Sequence, residues 1–149
     1  MTVRVEGVDQ VLKNLEALKG HYGKAIADAL VASGNDVRNT AIRAIQEQSV
    51  GSVVTRTRAG GNTYQHIASA AGDAPNTDTG RLVGSVQVEI EPAAVLVGST
   101  LEYAGMLEFG TTRMQPRPWL NPSMEANRRK IEQRFARAVN QVSDERGDV

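Results

Sequence analysis

His21 and His66 are the only imidazoles in a chain of 149 residues that contains no cysteine. Thiolate nucleophiles, disulfide frameworks and thiolate metal sites are therefore excluded together. A zinc site would have to take its remaining ligands from carboxylates, and a Ser-His pair has two candidate bases. His66 lies between Gln65 and Ile67 in a β-prone run and reads as a strand side chain. His21 follows Gly20 and reads as a residue at a helix C-terminus, where the dipole favours it. Glu89 and Glu91 are two apart on an alternating run, so they share a face, and an exposed strand face explains them more simply than a paired-carboxylate site. Asp73, Asn76 and Asp78 lack the closing glutamate of a calcium loop. Gly60-Gly61 is not followed by the Lys-Ser/Thr of a phosphate loop, and Ser33 and Ser52 have no base nearby in sequence. No nucleophile, base and oxyanion site come together. The expectation is a non-enzymatic chain with no catalytic residue, cofactor or metal.

The elements that must position these residues are legible from periodicity. Thr2 to Glu6 alternates as a short strand, and Asp9 is a candidate N-cap for a helix carrying Val11, Leu12, Leu15 and Leu18. Gly20 is expected to close it. A longer helix is expected from about Tyr22 to Gln48, with Ile26, Leu30, Val37, Ala41 and Ile45 at three- and four-residue steps. Gly34 sits inside it at a cost of about 1 kcal/mol relative to alanine. Ala25, Ala29, Ala32, Ala41 and Ala44 point to close packing against a flat neighbour such as a sheet.

Residues 49–80 are rich in Ser, Thr, Gly, Asn, Asp and Pro. Within them, Val53 to Arg58 and Thr63 to Ile67 favour strand, with Ala59-Gly60-Gly61-Asn62 as the turn. An isolated two-stranded ribbon is marginal in water. The stretch reads either as an arm that orders on binding or as a ribbon packed on its own domain. Ser85 to Glu91 alternates cleanly, Pro92 stops it, and Ala94 to Gly98 returns. Tyr103 to Phe109 is a short helical piece ended by Gly110. Pro116, Pro118 and Pro122 keep the chain extended around Trp119 and Leu120, and a last helix runs from Pro122 or Ser123 to about Val142. Residues 143–149 are polar and expected to fray. The order gives an α+β fold: a small antiparallel sheet packed against two or three helices, with a long flexible or hairpin arm. One domain over 1–149 is expected, with the arm inserted at about 49–80.

Hydrophobic residues make up 40% and charged residues 23%, which fits a soluble globular chain. The formal net charge is zero, so no global field draws the chain to nucleic acid or an anionic membrane. No apolar run reaches the length of a membrane span, and the N-terminus lacks the apolar core of a secretory signal. Charge is nevertheless uneven: residues 50–109 hold three basic and six acidic side chains, whereas 110–139 hold seven basic and two acidic. The basic stretch reads as a solvated helix face, as one of two opposite poles that help subunits stack, or as a face toward DNA phosphates. With aromatics at 4%, stacking platforms for single strands are absent.

Three segments in series carry a resemblance. Ala74-Pro75 precedes Thr79-Gly80-Arg81-Leu82 and Ser85, which leads into a strand. Val97-Gly98 is followed by Tyr103-Ala104 and Leu107-Glu108-Phe109-Gly110-Thr111. Pro116-Arg117-Pro118-Trp119-Leu120-Asn121-Pro122 stands ahead of the last helix. In this order, over about residues 5–140, the chain resembles the HK97 gp10-like family of tailed-phage proteins, the tail-completion or head–tail joining proteins of siphophages and prophages. The motif residues carried by the resemblance are Thr79, Gly80, Leu82, Ser85, Gly98, Tyr103, Ala104, Glu108, Phe109, Gly110, Thr111, Pro118, Trp119 and Pro122.

The resemblance implies a tail-terminator-like fold and a ring, expected to be a hexamer, that caps the tail tube at the neck. It implies contact with tail tube protein below and a head-side connector or stopper above, with DNA passing through the lumen unread. It implies no catalysis and no membrane, and a place in the virion after assembly in the host cytoplasm. The alternatives are a head-side stopper or adaptor, or a small cytoplasmic DNA-binding or interaction protein. Physically, Thr79-Gly80 suits a tight turn. Tyr103 and Phe109 read as core anchors beside the sheet. Glu108, at a helix end, is placed to pair with Arg113 or Arg117 of the next subunit. Arg56, Arg58, Tyr64 and His66 of the arm complete the expected subunit or partner contacts.

Overall fold

The computed structural model describes residues 8–91 and 94–144. The expected first strand, the Pro92 stop and the frayed end beyond Asp144 lie outside them, as does the apolar face assigned to Val11, Leu12, Leu15 and Leu18. Eight elements follow one another: α1 (Val8–Gln46), β1 (Val53–Thr57), β2 (Thr63–Ile67), α2 (Arg81–Ser85), β3 (Val86–Glu91), β4 (Ala94–Ser99), α3 (Glu102–Phe109) and α4 (Asn121–Asp144). This is the α+β class read from the order of periodicities.

Helix α1 corrects the sequence reading. One helix of 39 residues, about 58 Å at 1.5 Å per residue, runs where two were expected. It already includes Asp9, which is therefore not a cap, and it continues through Gly20 with no left-handed residue there. A glycine in a helix interior costs only about 1 kcal/mol, and good helix formers on both sides outweigh that. His21 thus sits inside the helix rather than at its end.

Helix α4 runs antiparallel beside α1. Asn127 Nδ2 donates to Thr40 Oγ1 (2.9 Å) near one end, and Lys130 Nζ donates to Asp36 Oδ1 (2.8 Å) further along. Arg134 reaches both Asp36 and Ser33. Burial pushes the Asp36 carboxyl up, but the hydrogen bonds from Lys130 and Arg134 outweigh it and hold the group below its ordinary value.

Strands β3 and β4 form an antiparallel hairpin in the register Val88↔Val97 and Ile90↔Val95. One face lies on α1 at Gly34, where an added Cβ would stand 2.4 Å from Val95 Cγ1 and 3.1 Å from Val88 Cγ1. Glycine there lets helix and sheet approach more closely than even alanine would allow, and the flanking Ala29 and Ala41 are buried on the same helix. Opposite pairs share a face, so Glu89 and Glu91 lie with Leu96 on the other side, where all three are exposed. The core is small: Ala41, Ile45, Leu82, Val86, Ala104 and Trp119.

A single turn of helix, α2, separates the Thr79-Gly80 turn from β3, which starts one residue later than expected. Gly80 takes φ 75°, the left-handed conformation glycine tolerates, and caps that turn. Leu82 is carried into the core, and the Ser85 hydroxyl bonds Leu82 O and the Ser99 hydroxyl, both at 2.7 Å.

The second antiparallel pair, β1 with β2, is the expected ribbon, in the register Thr55↔Gln65. Neither strand joins β3 or β4. Its root is clamped. Asn76 accepts from Ser49 N (2.8 Å) and donates to Ser49 O (2.9 Å) and Ile67 O (3.0 Å), while Ala68 N donates to Ser52 O (2.9 Å). Gly51 is needed at that root, because a Cβ would strike Ala68 O at 1.7 Å. The ribbon is therefore anchored at its base and exposed along most of its length.

Candidate functional site

Residues of the second and third motifs meet in one lock between α3 and α4, while the first motif stands apart at the turn into α2. Gly110 ends α3 at φ 76°, and a Cβ there would meet Met114 O at 2.7 Å and Pro116 N at 2.9 Å, so only glycine fits. Thr111 bridges to Met114, and the proline-rich strap then runs back along α3, with Arg117 N donating to Leu107 O (2.7 Å). Trp119, 2% exposed, drops into the core and points its indole N–H at Ala104 O (3.4 Å). Pro118 precedes it, and Pro122 sits in the first turn of α4, where a missing N–H is harmless.

Glu108 closes the lock. Its carboxylate is 6% exposed and accepts the backbone N–H groups of Trp119 (2.7 Å), Leu120 (2.9 Å) and Asn121 (2.9 Å). A helix N-terminus leaves its first N–H groups without intrahelical partners, and a carboxylate suits both those donors and the dipole. The expected partner, an arginine of the next subunit, is displaced by these three donors from its own chain. Arg113 is exposed on the Thr111 turn, and Arg117 donates Nε to Ser69 O (3.2 Å).

The two aromatics of α3 also correct the sequence reading. Phe109 is 73% exposed and Tyr103 39%, and Met106 beside them is 53% exposed. The buried positions of this helix are Ala104 and Glu108, because the small residue lets Trp119 approach and the acid caps the next helix. Of the large apolar side chains, Leu107 packs against the core, and Tyr103, Met106 and Phe109 are left facing outward.

The second concentration of polar groups runs along the inner side of the ribbon, from its root to the Arg56↔Tyr64 pair next to the turn. Asp78 is its hub: Tyr64 donates to Oδ1 (2.7 Å), Arg56 Nε stands 3.2 Å from Oδ2, and His66 Nδ1 is 3.8 Å from Oδ1. The hydrogen bond to Asp78 raises the Tyr64 phenol above its ordinary value, and Arg58 lies over the Tyr64 ring at 4.7 Å. Beside this hub a cleft of about 410 Å³ opens between the ribbon, the 68–81 segment and α3. Of the expected contact residues, Arg56, His66 and Arg117 line it together; Arg58 and Tyr64 stay on the ribbon, and Arg113 is not brought in. Sequence reasoning missed Asp78 and Arg81. In sequence Asp78 stands out only as part of an incomplete calcium loop, and its position eleven residues past the ribbon hides its role.

Among the described residues no group of three or more histidines or acids could hold a metal ion. No described helix is long and apolar enough to cross a membrane.

No curated protein and no solved structure matches the chain. A family model described as "Bacteriophage HK97-gp10, putative tail-component" matches residues 9–110, from the start of α1 to the glycine that ends α3. That stretch includes the ribbon, the hairpin, the first motif and the second as far as Gly110, with Glu108 in it; the Trp119 strap lies beyond it. With two thirds of its length matched, the chain belongs to the HK97 gp10-like family of phage tail components.

Proposed function

We propose that the chain is a non-enzymatic structural protein of a siphovirus-type phage or prophage virion, acting as one tail-completion domain. In this reading copies form a ring, expected to be a hexamer, that caps the tail tube at the neck and joins it to the head-side connector while DNA passes through. The observation that carries it, beside the family, is the outward apolar face of α3. Tyr103, Met106 and Phe109 are exposed on a chain whose core contains only one aromatic residue. A second exposed surface is the outer side and turn of the ribbon, whose inner side is held by Asp78 through Arg56 and Tyr64. Contiguous exposed apolar surface marks an interaction site. A head-to-tail contact repeated around an axis closes into a ring.

Native mass spectrometry over a concentration series, with negative-stain images of the same samples, tests the reading. A closed species near 96 kDa, six copies of 16.0 kDa, is expected alone or after adding tail tubes that lack their cap. A monomer that ignores such tubes overturns it.

A further inference from the structure

We infer that the cleft at the ribbon root is a carboxylate-binding site that takes an acidic segment of a partner protein. Its walls combine guanidinium groups, an unpartnered buried hydroxyl and an apolar floor. Arg56 is already committed to Asp78, but Arg81 and Arg117 have no carboxylate partner among the described residues. Arg117 uses Nε on Ser69 O, which fixes its plane and leaves both terminal nitrogens free. Arg81 is exposed at the rim. Ser69 is 5% exposed, and its hydroxyl is the only buried side-chain polar atom without a hydrogen-bond partner among the described residues. Buried polar groups are nearly always satisfied, and this hydroxyl belongs to the lining of a cleft that two guanidiniums without carboxylate partners also line, so it is available to an acceptor entering there. Leu107 and Met114 supply apolar contact for a short aliphatic stem. A volume of about 410 Å³ falls within the range of ligand clefts.

A carboxylate fits better than a DNA phosphate. Asp78 stands inside the cleft, and residues 50–109 carry twice as many acidic as basic side chains, so a polyanionic backbone lying across this face would be repelled. A single acidic side chain entering between Arg81 and Arg117 avoids that and can be gripped bidentately. That the partner is a virion protein rests on the tail-component reading; the carboxylate chemistry does not.

The test uses the full chain labelled with ¹⁵N, following the arginine Nε–H resonances during titration. The probes are a capped Gly-Glu-Asp-Glu-Gly peptide, its Gly-Gln-Asn-Gln-Gly counterpart and inorganic phosphate. The acidic peptide is expected to shift Arg81 and Arg117, with little response to the other two. Arg81→Gln, at an exposed position that leaves the fold intact, is expected to weaken binding roughly tenfold, as for one charge-assisted contact. Ser69→Ala is expected to weaken it by a factor of about three while leaving the amide spectrum otherwise unchanged. Equal responses to acidic and amide peptides, or affinity unchanged in both variants, overturn the site. A stronger response to phosphate replaces the protein ligand with a nucleic-acid backbone and overturns it too. Rings that assemble from a peptide-blind chain sink only the cleft, whereas a peptide-binding chain that ignores tail tubes sinks only the neck reading.

Discussion

Glu108 shows how far a residue's job depends on what the fold brings to it. Two oxygens receive three N–H groups in a place water does not reach. Glu108→Ala leaves those donors buried without acceptors, and a loss of about 3 kcal/mol is expected, with a fall in Tm on the order of 10 °C. Glu108→Gln keeps one acceptor oxygen and should lose less. Thermal and urea unfolding of the two variants checks this; an Ala variant as stable as the parent would remove Glu108 from the lock. The role was not legible from sequence because its partners lie 11–13 residues away and are set by the way the strap folds back on α3. Phe109 fails for the opposite reason: hydrophobicity says that a side chain prefers burial, but cannot say whether its own chain or another provides it. Gly80 and Gly110 were legible, because both take left-handed angles that few other residues tolerate.

Elements were readable where one face meets one neighbour. The alternation of β3, its return in β4, the ribbon strands and α4 all carry clear periods, and the structure has them within a residue or two of the expected bounds. Helix α2 was not, since five residues are too few to display a period. Gly20 and Gly34 look alike in sequence and differ in packing. Nothing lies within 4 Å of a Cβ added at Gly20 or Gly23, whereas one at Gly34 collides with Val95. Gly20→Ala is therefore expected to stabilise by about 0.5–1 kcal/mol and Gly34→Ala to destabilise by about 1–2 kcal/mol despite the same gain in propensity. Denaturant midpoints of the two variants should move in opposite directions.

The α1–α4 contact carries its own pH signature through Asp36. A carboxylate whose pKa is lowered on folding contributes stability above its unfolded value, about 3.9, and loses it as pH falls through the folded value. Asp36→Asn should cost about 1–2 kcal/mol at pH 7, and the gap should close as acid protonates the parent's carboxyl, so the two stability curves converge as pH falls. A gap that stays constant with pH would assign the loss to packing.

At the scale of the molecule, the uneven charge seen in sequence is partly spent inside one copy. Lys130 and Arg134 are bound to Asp36 and Arg128 to Glu125, so the basic stretch of α4 is a weaker pole than its composition indicated. The outward features are instead the ribbon and the α3 face. Removing residues 55–66 should leave the clamped root, the hairpin and both long helices folded, with circular dichroism close to the parent, while abolishing the joining of heads to tails. Full joining by the shortened chain would make the ribbon dispensable. The β3–β4 hairpin has one more consequence. With only two strands, both of its outer edges lack a strand partner among the described residues, a template on which any extended chain could stack. The glutamates on its open face act as a guard, because a second hairpin docking in register would set like charges side by side. Edge-to-edge stacking of copies is thereby disfavoured, and a positively charged surface is the one that this face would complement.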